Sequence, residues 1–161
     1  MIKTNRQSPL GEITILSDHQ FLYGLWFEQA SHYGAHYQLD EISSGTTDVA
    51  DLTINWLTQY FNHQIVDPRL IPVHPVGTPF QMAVWQQLRE IPYGQAKTYR
   101  ELAQTLHSSP RAIGNAVGRN PISIIIPCHR ILNVHQQMTG YAGGIARKQF
   151  LLELEGIPFK D

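Results

Sequence analysis

The single cysteine of this 161-residue chain stands beside a histidine, in the run Pro127-Cys128-His129-Arg130. A thiolate is the nucleophilic form of cysteine, and a neighbouring imidazole or cation lowers the thiol pKa from about 8.5. The two residue types therefore suit a nucleophile with its base. Adjacency sets a condition, because neighbouring side chains on a regular strand point to opposite faces. A productive pairing needs a turn here, or a water molecule between the two groups. The same cysteine also reads as a small buried hydrophobe at the end of an apolar run. The dipeptide alone leaves both readings open. One cysteine cannot form an intramolecular disulfide or a cysteine-rich zinc site.

The elements that must position Cys128 are partly visible. Ile122-Ser123-Ile124-Ile125-Ile126 is β-branched and predicts a buried strand ending at Pro127. Upstream, Thr78-Pro79 reads as an N-cap and first helical position, with Phe80, Val84, Trp85 and Leu88 on one apolar face. Pro92 and Gly94 end that helix. Thr98 with Glu101 three residues on is a capping box, and Ser108-Ser109-Pro110 breaks this second helix and starts a third. Two short helices around a polar turn predict a helix-turn-helix. The third helix, Arg111 to about Gly118, holds Ala112, Gly114, Ala116 and Gly118 between two arginines. Each helical glycine costs about 1 kcal/mol relative to alanine, a poor choice for a purely structural helix. It suits a helix laid against a nucleic-acid backbone. Glu155 lies near the end of a last apolar helix containing Phe150, Leu151 and Leu154.

The first part of the chain reads differently. Glu12–Leu16 and Phe21–Phe27 predict a hairpin around Ser17-Asp18-His19-Gln20. Residues 31–48 show no period and predict a surface loop. From Val49, apolar residues at spacings of three and four (Leu52, Trp56, Leu57, Tyr60, Phe61) predict an amphipathic helix. Pro68, Pro72, Pro75 and Gly77 then mark a linker. A domain of residues 1–75 and a second of 76–161 follow. Charge divides the same way: residues 1–75 carry three basic and eight acidic residues, and 76–161 carry nine basic and five acidic. A locally basic stretch on a nearly neutral chain hints at a polyanionic partner. Aromatics at 10% and charged residues at 16% argue against disorder. No apolar run approaches the ~20 residues of a membrane span, and Met1–Arg6 does not open a signal peptide. A cytoplasmic, globular protein without a membrane partner is expected.

The segment Asn120–Ile131 resembles the active-site signature of the O6-alkylguanine-DNA alkyltransferases. The resemblance extends through Ile91-Pro92-Tyr93-Gly94, Thr98-Tyr99, Pro110-Arg111-Ala112-Ile113-Gly114, Gly140-Tyr141-Ala142-Gly143-Gly144 and Lys148–Leu152 to Glu155-Gly156. Most of residues 78–157 match in order and spacing. Pro9-Leu10-Gly11 and Gly24–Phe27 resemble the family's variable first domain. The resemblance implies a two-domain α/β fold, with a ribonuclease-H-like antiparallel sheet plus helix first. A mostly helical domain with a winged-helix-like helix-turn-helix follows.

It also implies roles. Cys128 would take the alkyl group from a flipped guanine and keep it as a thioether, in a single irreversible turnover. His129 would be its base, Glu155 would orient His129, Asn120 would order the active-site turn, and Tyr99 would donate a hydrogen bond or proton to the guanine ring. Arg111 would fill the gap left in the base stack, with Ala112, Gly114 and Val117 on the same DNA-facing helix. Ile131 and Ala142 would contact the flipped base through backbone groups, and Tyr141 would wall the pocket. The partner implied is duplex DNA carrying O6-alkylguanine or O4-alkylthymine, bound through the minor groove by a monomer, with cooperativity on DNA left open. No metal or other cofactor is expected. Some members hold zinc in the first domain, but here only His32 and His36 could meet on a helix. Ala142 and Ser123 replace Ser and Pro of some members, which leaves the size of the alkyl group open. A sensor that flips alkylated guanine without repairing it, and a cysteine hydrolase, are the competing readings.

Overall fold

The computed structural model describes residues 1–161, which form two units. The first comprises Met1–Val76 with Pro121–Ile125, and the second comprises Gly77–Asn120 with Ile126–Asp161. Residues 76–161 are thus not one uninterrupted domain, since the chain lends five residues back to the first unit.

The first unit is a three-stranded antiparallel sheet, β1 (Ile2–Ser8), β2 (Gly11–Ser17) and β3 (Leu22–Phe27), in that order, with helix α1 (Asp48–Phe61). The predicted hairpin is β2 and β3. Strand β1 gives no apolar signal, because it is an edge strand whose residues are all exposed or half-buried. It turns into β2 through Ser8, whose Oγ accepts from the Leu10 N–H (3.1 Å) and donates to the Gly11 carbonyl (2.7 Å). Gly11 has φ +100°, a conformation that glycine adopts without a Cβ clash.

Thr47 caps α1, its Oγ1 accepting from the Ala50 N–H (3.0 Å) and bonding Ser17 Oγ of β2 (2.7 Å). Val49, Trp56, Leu57 and Tyr60 are buried as the periodicity predicts, while Leu52 is exposed. His32 lies in a turn rather than a helix, so the spacing that would bring it to His36 is absent. The indole of Trp26 covers Gly24 so closely that a Cβ there would lie 2.0 Å from it. Gly24→Ala is therefore expected to destabilise the protein by about 1–3 kcal/mol through overpacking, read as a lowered denaturant midpoint.

The predicted strand at 122–126 does not form. Ile122 makes one parallel bridge to Leu25, and the Ser123 N–H donates to the Leu25 carbonyl (3.0 Å). The chain then turns, with Ile124 at φ +70° and the Ile125 N–H closing onto the Ser123 carbonyl (2.8 Å). The apolar run does report burial, since Ile122, Ile124 and Ile125 are at most 1% exposed. Burying each such side chain is worth about 1.5–3 kcal/mol, enough to hold a turn that a β-branched residue adopts only under constraint.

The second unit holds α2 (Pro79–Arg89), α3 (Tyr99–Thr105), α4 (Pro110–Gly118) and α5 (Ile145–Glu155). A two-residue parallel pair joins β4 (Lys97–Thr98) to β5 (Ile131–Leu132). Thr78 and Gln81 form a capping box at α2, Thr98 and Glu101 form one at α3, and Ser109 caps α4. Helices α3 and α4 pack together around the turn at His107, completing the predicted helix-turn-helix. Trp85 of α2 anchors α4 by donating its indole N–H to the Ala116 carbonyl (2.8 Å). Phe80, by contrast, is exposed rather than part of the α2 core face. Gly156, at φ +72°, ends α5 in the left-handed conformation common at helix C-termini. No helix is long and apolar enough to cross a membrane.

Candidate active site

The turn that an adjacent cysteine and histidine require is present. Cys128–Arg130 form a single 3-10 turn entered from Pro127. The Ile126 carbonyl accepts from both the Cys128 N–H (2.8 Å) and the Asn120 side-chain amide (2.8 Å). Asn120 thereby ties the end of α4 to the start of the turn. Asn120 and Tyr141 both act on the Cys128 thiol, each favouring its ionised form.

His129 and Glu155 meet across 26 residues of sequence, Nε2 to Oε2 at 2.6 Å, both side chains fully buried. The same carboxylate is held by Arg130, Nε to Oε1 at 2.8 Å and Nη2 to Oε2 at 3.1 Å. The Gly94 N–H adds a fourth donor (3.1 Å). Burial by itself would raise the Glu155 carboxyl, but the His129 hydrogen bond, with the charge and hydrogen bonds of Arg130, outweighs it and holds the pKa at about 2. An ionised carboxylate only accepts, so His129 Nε2 carries the proton of that bond. Burial lowers the His129 pKa more than Glu155 raises it, so the imidazole is neutral. Its other nitrogen, Nδ1, is buried with no hydrogen-bond partner and is free to accept a proton.

Cys128 is 3% exposed. Burial raises its thiol pKa, against the opposing effects of Asn120, Lys148 and Tyr141. At rest the group is therefore a thiol, and a base must remove its proton before it can attack. Lys148 has no role assigned from the sequence, yet it is fully buried and donates Nζ–H to the Gly140 carbonyl (3.0 Å). Burial lowers its pKa to about 8, and interaction with Cys128 pulls the other way. Its signal is helical spacing: Lys148, Leu151, Leu152 and Glu155 recur as one buried stripe of α5. A lysine at a core position is rare enough to mark the site.

The remaining predicted residues surround this centre unequally. Tyr99 begins α3 half-buried, its phenol kept protonated by burial and hydrogen-bonded to Thr139. Tyr141 and Ala142 lie half-buried in the loop before α5, with the Tyr141 hydroxyl itself buried. Ile131 is buried in β5, paired with Lys97. Arg111 is exposed in the first turn of α4, and Ala112 and Gly114 are half-buried. A Cβ on Gly114 would meet the Tyr99 ring at an ordinary 3.8 Å, and one on Gly118 would meet nothing within 4 Å. The protein's own packing therefore needs neither glycine. Val117 is buried in α4, only 7% exposed. No three histidine, cysteine, aspartate or glutamate side chains gather as a metal site.

A buried thiol, a neutral imidazole with an open nitrogen and an orienting carboxylate, carried beside a helix-turn-helix, define a cysteine-based group-transfer protein with a nucleic-acid-binding fold. The chain belongs to the methylated-DNA–protein-cysteine methyltransferase family. Residues 79–157 match the family model for the 6-O-methylguanine DNA methyltransferase DNA-binding domain. The chain is 43% identical over 159 residues to the methylated-DNA–protein-cysteine methyltransferase of Haemophilus influenzae, covering 96% of this chain and 86% of that protein. It is 40% identical over 160 residues to the one from Shigella flexneri, covering 92% of each. Among solved structures, the Mycobacterium tuberculosis OGT in complex with DNA superposes with a TM-score of 0.85 at 32% identity, covering 96% of this chain and 92% of that one.

Proposed function

We propose that this protein repairs DNA by moving the alkyl group of O6-alkylguanine, and of O4-alkylthymine, onto Cys128. The observation that carries this reading is the pairing of a buried, protonated thiol with a buried histidine whose Nδ1 has no partner. His129 Nδ1 takes the thiol proton through a water molecule, and Glu155 fixes the ring and its tautomer. The Cys128 Sγ forms a bond to the alkyl carbon as the carbon–O6 bond breaks. Tyr99, a protonated phenol, hydrogen-bonds or gives a proton to a ring nitrogen of the departing guanine, which improves the leaving group. The thioether is not hydrolysed, so each molecule acts once.

A buried cysteine cannot reach O6 inside the duplex, so the base must leave the stack. Extrusion costs a few kcal/mol, least for a poorly paired base, which favours the lesion. Arg111 fills the gap, while Ala112, Gly114, Ala116 and Gly118 let α4 lie close to the minor groove. Ala142 and Ile131 meet the flipped base through their backbones, and Tyr141 closes the pocket. The protein works in the cytoplasm as a monomer on duplex DNA.

Titrating protein into excess duplex carrying one O6-methylguanine tests this reading. Repair that stops at one lesion per protein molecule is the expected result, and continued turnover with release of methanol would instead mark a hydrolase. A second expectation concerns α4. Gly114→Ala should stabilise the fold by up to about 1 kcal/mol through helix propensity. It should also weaken binding to undamaged duplex, measured by thermal unfolding and fluorescence anisotropy together.

A further inference from the structure

Arg130 has no part in the proton path described above, yet it is built into it. A carboxylate 2.6 Å from an imidazole ordinarily favours the imidazolium. A histidine already protonated could not accept the proton of the Cys128 thiol. Burial of the ring works most strongly against that protonation, and a positive charge beside Glu155 can reinforce it. Arg130 is placed to do so, with two hydrogen bonds to the two Glu155 oxygens. It is 5% exposed, its Nη1 donates to the Ile91 carbonyl (2.7 Å), and its guanidinium lies 5.8 Å from the centre of the Tyr93 ring. These contacts prevent it from swinging away.

The other charges around His129 act in the same direction or not at all. From α5, Lys148 presents a second positive charge and Glu155 the only negative one. Cys128 is a thiol at rest. Helix α2 also packs on this turn, and the charged residues at its end, Arg89 and the following Glu90, are not among the groups acting on the imidazole.

We propose that Arg130 is a positioning residue of the relay. By gripping the Glu155 carboxylate in a fixed, charge-balanced pair, it keeps His129 neutral with its proton on Nε2 and leaves Nδ1 as the base. The alkyl-transfer reading enters only in naming the Cys128 thiol as the proton donor.

Nitrogen-15 NMR of the His129 ring across a pH series reports its tautomer and protonation without any substrate. It should be run on the full-length wild type, Arg130→Lys and Arg130→Met, alongside the pH dependence of methyl transfer from O6-methylguanine duplex. The wild type is expected to hold a neutral, Nε2-protonated ring through neutral pH. In Arg130→Met the proton stays on the His129–Glu155 pair. Transfer at neutral pH then falls about tenfold for each unit by which the raised pKa exceeds the pH, and recovers in more alkaline buffer. Arg130→Lys, which keeps the charge without the fork, falls between the two. A wild-type imidazolium at neutral pH would overturn the proposal. So would a uniform loss of rate in the folded Lys or Met variant with the His129 titration unmoved, the signature of a merely structural arginine. A wild type that holds the neutral ring but transfers no methyl group would sink the repair reading while leaving the Arg130 inference standing.

Discussion

Replacing Cys128 with serine is expected to abolish alkyl transfer completely while leaving recognition of the lesion intact. Sγ is the only thiol in the chain, so no second group can accept the alkyl carbon. A serine hydroxyl keeps much of the shape, but it is far less acidic and would not yield its proton to a neutral imidazole. The helix-turn-helix and the Arg111 end of α4 are separate elements from the Cys128 turn. The Cys128→Ser protein should therefore still bind O6-methylguanine duplex in preference to undamaged duplex. Electrophoretic mobility shift with both duplexes, paired with a repair assay, checks both halves of this expectation. Loss of binding together with loss of transfer would mean that the substitution had damaged the fold.

The second large effect is on stability, through Glu155. This carboxylate accepts from His129, from Arg130 twice and from Gly94, with its side chain fully buried. Glu155→Leu leaves the Arg130 guanidinium buried without its counter-charge, a loss of about 3–5 kcal/mol. Urea titration of the variant against wild type measures it. The pH dependence has a definite sign. The folded-state pKa of about 2 lies below the ordinary 4.5, so protonation favours the unfolded chain. The stabilisation from this carboxyl is complete above about pH 4.5 and is lost as the pH falls towards about 2. Its size is roughly 3 kcal/mol. Acid unfolding of the wild type should thus steepen in that window, and the steepening should be missing from Glu155→Leu. The His129 hydrogen bond and the Arg130 guanidinium together keep Glu155 ionised, so stability and the proton relay depend on the same contacts.

Much of this architecture is legible in the sequence wherever the signal is local. The caps at Thr78, Thr98 and Ser109 declare three helix starts, because side-chain oxygens three residues from a free backbone N–H are a short-range pattern. The Cys128-His129 pair states its own requirement for a turn, and the 3-10 turn meets it. Strand β1 stays hidden because an edge strand with polar side chains carries no apolar alternation. Residues 122–126 mislead because β-branched runs report burial, and burial is shared by strands and by core turns. The Arg130–Glu155–His129 assembly is only half readable. Two of its members are assigned through family resemblance, while charge pairing across 25 residues leaves no local trace. Lys148 is readable in principle, at a core position of a helical stripe, but only to a reader who knows which face of α5 is buried.

The proposed acceptor of the alkyl group is Cys128. Intact mass spectrometry and peptide mapping test it directly, after the protein is mixed with excess duplex carrying a single O6-methylguanine. One added methyl group per chain is expected, located on Cys128 and absent with undamaged duplex. An unmodified protein that still selects the lesion would contradict it and point to a sensor of alkylated bases. A methyl group on any other residue would contradict the assigned site.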